Sequence, residues 1–248
     1  MVLAYDGTDY HGWQPQPGVA TVSGRFSDAL EAACGVRPRV SAAGRTDAGV
    51  HAHGQVVAFQ LAQAWDPERL LRACNQHLPA DIAVLRADFA QEGFDPRRDA
   101  WRRTYRYLLS PSSTMSPTLA RYAWRVSPRL ELAPMREAAG AFLGTHDFSE
   151  LGQSSWPGGQ TTRTVDMIEV QQADGLVRVD VRGDAFLRGM LRNLVGALVS
   201  FGVRRLGRAD LHEILERGSS RSWLKAPARG LHQWRVEYHR PAMVGVVL

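Results

Sequence analysis

Asp47 stands in the stretch GRTDAGVHA, residues 44–52, between Gly44 and Gly49 and directly after Arg45 and Thr46. No helix or strand period uses a carboxylate there, and short polar turns ordinarily do no more than reverse the chain. The neighbours suggest chemistry. Two glycines let the backbone turn sharply and let a ligand approach, Arg45 can meet a phosphate, and a lone ionised Asp can act as a covalent nucleophile. Such a carboxylate needs a cationic neighbour. The apolar stretch DAFLRGMLRNLVGALVSFG, residues 184–202, offers Arg192 beside Asn193, at the margin of a stripe of Leu187, Met190, Leu191, Leu194 and Leu198. His51 and His53 alternate onto one face of an extended segment, with His11 the third available ring. They would serve a metal-dependent phosphoesterase, but no carboxylate is evident to orient them and no metal is expected. A GxSxG elbow, a Walker loop and a CxxC are all absent from the sequence.

These residues need elements to hold them. Residues 1–5 read as a strand, and VSGRFSDALEAAC, 22–34, as a helix with Phe26, Leu30 and Ala33 on one side and Gly35 to end it. A strand at 38–42 leads into the glycine-bounded turn. QVVAFQL, 55–61, reads as a strand, DPERLLRACNQHL as a helix capped by Asp66 with Pro67 at its first position, and DIAVLRADF as another strand. The second half repeats the order with a strand near 121–126, a helix from about 133 with Gly144 after it, the hairpin VDMIEVQQADGLVRVDVRG, the apolar helix, a shorter helix at 208–217, and a last strand near HQWRVEYH. The fold class expected is α+β: two ferredoxin-like β-α-β-β-α-β units forming an antiparallel or mixed sheet, helices on one face and a cleft between units. The units are residues 1–104, with the Asp47 loop, and 105–248, with the Arg192 helix. RRTYRYLLS, 102–110, is an extra strand with Tyr105 and Tyr107 on one face and Arg106 opposite. ELGQSSWPGGQTT, 150–162, is a flap or a linker.

Composition narrows the class. The 248 residues carry 30 Lys and Arg against 25 Asp and Glu, and Lys225 is the one lysine among the thirty. Arginine's planar fork suits phosphate oxygens and stacks on bases, so RNA is a candidate partner for sheets of this topology. Cys34 and Cys74 form neither a disulfide framework nor a zinc pattern. No leader or membrane span is seen, so a cytoplasmic protein is expected.

GRTDAGVHA, YDGTDYHGWQ at 5–14, LPADIAV at 78–84, RRTYRY at 102–107, FLRGMLRNLVG at 186–196 and KAPARGL at 225–231 together closely resemble the tRNA pseudouridine synthase A family. The resemblance implies an isomerase that converts uridine to pseudouridine in the anticodon stem-loop, at tRNA positions 38, 39 and 40, as a homodimer with neither metal nor cofactor. It places the nucleophile at Asp47, the active-site tyrosine at Tyr105 and the active-site arginine at Arg192. Arg45, Thr46, Gly49 and His51 join Tyr105 as the expected substrate-binding residues, and Arg45 matches an arginine held to fill the space the target base vacates. Asp47 could attack the anomeric carbon or a ring carbon, since both routes need one ionised carboxylate. The chain departs from the family pattern at Ser23, where Gln is usual, and in GLHQW, where a tyrosine or cysteine and a leucine are more common. The rival class is a catalytically silent RNA-binding protein of the same fold.

Overall fold

The structure is a computed structural model that describes residues 1–154, 156–211, 213, 215 and 222–239. In chain order these form β1 (Val2–Tyr5), α1 (Val22–Cys34), β2 (Ser41–Ala42), β3 (His51–Ala58), α2 (Pro67–His77), β4 (Ile82–Arg86), β5 (Ala100–Pro111), β6 (Trp124–Val126), α3 (Leu132–Gly140), β7 (Gly144–Asp147), β8 (Thr162–Ala173), β9 (Leu176–Gly183), α4 (Met190–Gly202) and β10 (Leu231–Tyr238). The fold is α+β. The chain divides into two compact units, residues 1–103 together with β10, and residues 104–231.

In the first unit the sheet order is β4-β1-β3-β10. β1 runs antiparallel to both neighbours, with Leu3 opposite Gln55 and Val84. β10 joins β3 in parallel, His232 beside His51 and Gln233 beside Ala52. The strand expected at 38–42 is reduced to Ser41–Ala42, paired with Val57 and Ala58. Pro38 lacks a ladder donor, and the chain turns away at Ala43 into the Asp47 loop. β3 begins at His51, four residues earlier than the apolar run 55–61 suggests.

Both helices of this unit form as their sequences dictate. Thr21 Oγ1 accepts from Gly24 N at 3.3 Å to cap α1, and Gly35, at φ 73°, closes it. Asp66 Oδ1 accepts from Arg69 N at 2.8 Å to cap α2. Phe26 and Leu30 of α1 and Leu70 and Cys74 of α2 pack with Leu3, Tyr5, Ile82 and Val84 into one core. Each large apolar side chain buried there contributes about 1.5–3 kcal/mol.

In the second unit the order is β5-β9-β8-β7, with the three-residue β6 parallel to the end of β5. β5 is therefore this unit's first long strand, the place that the sequence pattern assigned to residues 121–126. β8 and β9 form the expected hairpin, turned by Asp174 and Gly175 at φ 53° and 76°. β7, which the sequence did not reveal, pairs Gly144–Asp147 with Thr162–Val165.

α4 starts at Met190, not at 184. Eleven of its thirteen residues are buried, and the two that are not are Arg192 and Asn193. Of the helix expected at 208–217, a 3₁₀ turn at Arg208–Asp210 is described, and residues 212, 214, 216 and 217 lie outside the described residues. No helix among the described residues is long and apolar enough to cross a membrane.

Candidate active site

The Asp47 loop is fixed at nearly every residue. Arg103, itself buried, donates to Ala43 O through Nε at 3.2 Å and Nη2 at 3.1 Å. Gln55 Nε2 donates to Gly44 O at 2.8 Å. Thr46 O accepts from Trp13 N at 3.0 Å, Asp47 O from Val50 N at 3.1 Å, and Gly49 N donates to Tyr10 O at 3.3 Å. Gly49 lies at φ 76°, in the region that glycine enters without strain.

The segment 5–14 is the loop's backing. Tyr5 Oη and Thr46 Oγ1 share a hydrogen bond of 2.8 Å, and Gly12 lets the chain pass so close that a Cβ there would stand 2.7 Å from Thr46 O. What the scaffold leaves uncommitted is the carboxylate. Asp47 is half-buried, its side chain makes no hydrogen bond or ion pair among the described residues of its unit, and Arg45 is exposed and equally unpaired there.

The second unit holds Tyr105 and Arg192. Residues 103, 105, 107 and 109 of β5 are buried in alternation, as a strand's two-residue period requires. Tyr105 meets Phe186 edge to face, ring centres 5.4 Å apart. Arg106, on the other face, forms a two-pronged pair with Asp180 at 2.8 Å for both contacts. Arg192 Nε donates to Ala226 O at 2.8 Å, and among the described residues of its unit Arg192 makes no ion pair.

The KAPARGL segment is strapped to the same frame. Leu224 N donates to Ser200 Oγ at 2.9 Å, Gly196 leaves space for Leu224 to cross α4, and Tyr107 Oη donates to Pro227 O at 2.7 Å. Burial raises the Tyr107 hydroxyl above the ordinary phenol range, against the opposing charges of Arg192 and Arg229.

The loop 150–162 is anchored at its root. Gln153 and Arg188 exchange two backbone hydrogen bonds, Asn193 Nδ2 donates to Leu151 O at 2.7 Å, and Phe148 N donates to Thr161 O. Its tip carries the exposed Trp156.

The histidines have other work than gathering on a metal. His51 is buried, its Nδ1 3.1 Å from both Gly7 N and Asp6 Oδ1. His53 Nε2 lies 3.3 Å from His232 Nδ1, and His11 is exposed. Among the described residues no group of three or more His, Cys, Asp or Glu is placed to hold a metal ion. Sequence reasoning missed Arg103, Gln55, Tyr5 and Gly12 as supports. The regularity of the YDGTDYHGWQ block was the available signal, but its contacts to residues 44–50 are long-range.

The family described as tRNA pseudouridine synthase matches residues 1–96 and 138–239. A tRNA pseudouridine synthase A of Pseudothermotoga lettingae is 40% identical over 239 residues, 96% of this chain and 98% of that protein. One of Neisseria gonorrhoeae is 38% identical over 252 residues, 100% of this chain and 93% of that protein. A third, of Syntrophotalea carbinolica, is 37% identical over 96% of this chain and 95% of its own length. The solved Cbf5-Nop10-Gar1 complex has a chain of which 45% aligns with 81% of this one, at 14% identity and a TM-score of 0.35. The chain belongs to the tRNA pseudouridine synthase family.

Proposed function

We propose that this protein isomerises uridine to pseudouridine in tRNA, with Asp47 as the nucleophile. The observation that carries the reading is the Asp47 loop, whose backbone is tied at Ala43, Gly44, Thr46, Asp47 and Gly49 while its carboxylate is left unengaged among the described residues of its unit. An enzyme holds a reacting group in place by locking what surrounds it.

In the reaction the bond from C1′ to N1 breaks and a bond from C1′ to C5 forms. C5 loses a proton and N1 gains one, so the product is an isomer and no oxidant, reductant or energy donor is needed. Asp47 attacks C1′ or a ring carbon and is released when the base rejoins. Arg192 is its cationic partner: an acid and a guanidinium, each without an ion pair among the described residues of its own unit, complement one another. Tyr105 stacks on the target ring and assists removal of the C5 proton.

The substrate proposed is the anticodon stem-loop at tRNA positions 38, 39 and 40. A base in a stem must leave the stack, at a cost of a few kcal/mol. Arg45, exposed beside the nucleophile, fills the gap it leaves, and the arginine-rich surface contributes phosphate contacts. Gly49 gives the ligand close approach, and Thr46 and His51 shape the substrate-binding loop around it. The reading extends to a cytoplasmic homodimer, with the Asp47 loop carried by the first unit and the Arg192 helix by the second.

The test is mass-sensitive mapping of pseudouridine in an unmodified tRNA transcript treated with wild type or Asp47→Asn. New pseudouridine in the anticodon stem-loop with wild type alone is the expected result. Product from Asp47→Asn would remove Asp47 as nucleophile. Folded wild type that binds the tRNA and yields no product would favour a silent RNA-binding protein.

A further inference from the structure

β10 lies far along the chain from residue 47, yet two of its side chains reach the two ends of the Asp47 loop. Its register sets this, since parallel pairing places His232 beside His51 and Gln233 beside Ala52, the residues that follow the loop. At the loop's exit the rings of His232 and His51 stack, centres 4.7 Å apart and 26° between planes. At its entry the link is a relay of amides. Gln233 Nε2 donates to Gln55 Oε1 at 3.2 Å, and Gln55 Nε2 donates to Gly44 O at 2.8 Å. Both glutamines are fully buried.

The orientation of this relay is not free. Gly44 O can only accept, so Gln55 must turn its NH2 toward it and its Oε1 toward β10. Gln233 must then present its own NH2, which leaves Gln233 Oε1 buried with no hydrogen-bond partner among the described residues. Buried polar atoms in that condition are uncommon and unfavourable. Turning the Gln233 amide over would face oxygen with oxygen at Gln55. The orphaned oxygen is therefore the cost of holding the Gln55 donor on Gly44, three residues before Asp47.

We propose that Gln233, acting through Gln55, is a positioning residue for the nucleophile, so that β10 sets the entry of the Asp47 loop. The inference rests on the reading of Asp47 as nucleophile. It is tested on the full chain with Gln55→Met, Gln233→Met and the double variant, measuring single-turnover pseudouridine formation, KM for an unmodified tRNA transcript, and thermal melting. Methionine keeps the volume and removes the amide.

The expected result is a single-turnover rate roughly tenfold or more lower in each single variant at temperatures where it is folded, with KM within about twofold, because the loop shifts while the phosphate contacts of the arginine-rich surface outside it do not. The double variant is then no slower than the slower single one, as residues acting in series require. A wild-type rate in Gln233→Met, or losses that multiply in the double variant, would overturn the proposal. Should Gln233→Met not fold, Gln55→Glu reads the same bond: a carboxylate facing Gly44 O must slow the reaction, and a wild-type rate there would equally overturn it. Asp47→Asn is run alongside. Product from that variant would sink the nucleophile reading, while the coupling of Gln55 with Gln233 would still be read from the other rates.

Discussion

Tyr5 Oη and Thr46 Oγ1 lie 2.8 Å apart and both side chains are buried, so the first strand of the protein is bonded to the residue next to Asp47. Tyr5→Phe removes one hydroxyl and strands the other, a loss of about 1–3 kcal/mol. In a chain of this size that is a fall of roughly 2–4 °C in melting temperature for each kcal/mol. Pseudouridine formation should slow further than the melting shift explains, because Thr46 carries Asp47. Adding Thr46→Val should restore most of the melting temperature. A Tyr5→Phe enzyme with unchanged kcat would show that the hydroxyl pair does not position the loop.

Gly12 gives a sharper case. It lies at φ 86°, and a Cβ there would stand 2.7 Å from Thr46 O and 3.1 Å from Ala48 N, both backbone atoms of the loop. Backbone cannot yield as a side-chain tip can, and the conformation alone costs an L-residue about 1–3 kcal/mol. Gly12→Ala should lower the urea midpoint and reduce kcat at least tenfold. Gly18→Ala shares a positive φ but meets nothing within 4 Å, so it should lower stability alone.

Cys74 predicts a pH dependence. Burial pushes its thiol up to about 11, with the neighbouring Cys34 adding to the effect. The folded state thus holds this proton more tightly than the unfolded state. The stability linked to it is fully present below the unfolded thiol's range near pH 9 and is lost as pH rises from about 9 to 11. A shift of about 2 units corresponds to at most roughly 3 kcal/mol. Urea midpoints should fall across that window, and Cys74→Ala should flatten the fall from pH 9 to 10, although it lowers stability at every pH. At pH 8 a thiol probe should label the half-buried Cys34 and spare Cys74 until urea is added.

Much of the fold was legible because its signals are local. The Asp66 and Pro67 start of α2, the Gly35 stop of α1 and the Asp174 and Gly175 turn each depend on residues within a few positions. Tyr105 opposite Arg106 followed from the strand period, and the polar pair Arg192 and Asn193 stood out on an apolar helix. What the sequence hid is long-range. β10 enters the first unit's sheet in parallel beside β3, with His232 paired to His51 from the far end of the chain, and no periodicity encodes a partner. β7 is four residues with no apolar alternation, and α4 begins late because Gly189, at φ 78°, cannot continue a helix toward residue 184. The supports of the Asp47 loop, Arg103 and Gln55, are polar residues on strands, where sequence alone gives no reason to expect burial.

Arg192 separates charge from geometry. Its Nε is spent on Ala226 O at 2.8 Å, a bond that fixes the plane of the guanidinium and frees its two terminal nitrogens for a carboxylate. Lysine supplies the charge, but its single nitrogen has no planar fork with which to keep the bond to Ala226 O and present two parallel donors to an acid. If Arg192 partners Asp47, Arg192→Lys should lower kcat roughly tenfold or more, Arg192→Met should lower it much further, and KM for tRNA should stay within about threefold in both. Single-turnover formation of pseudouridine under saturating enzyme checks the order. Equal rates in the Lys variant and wild type would mean that charge alone is used and that the bond to Ala226 only holds the KAPARGL segment against α4. Equal losses in Lys and Met, with KM unchanged, would mean that the fork's geometry carries the whole effect.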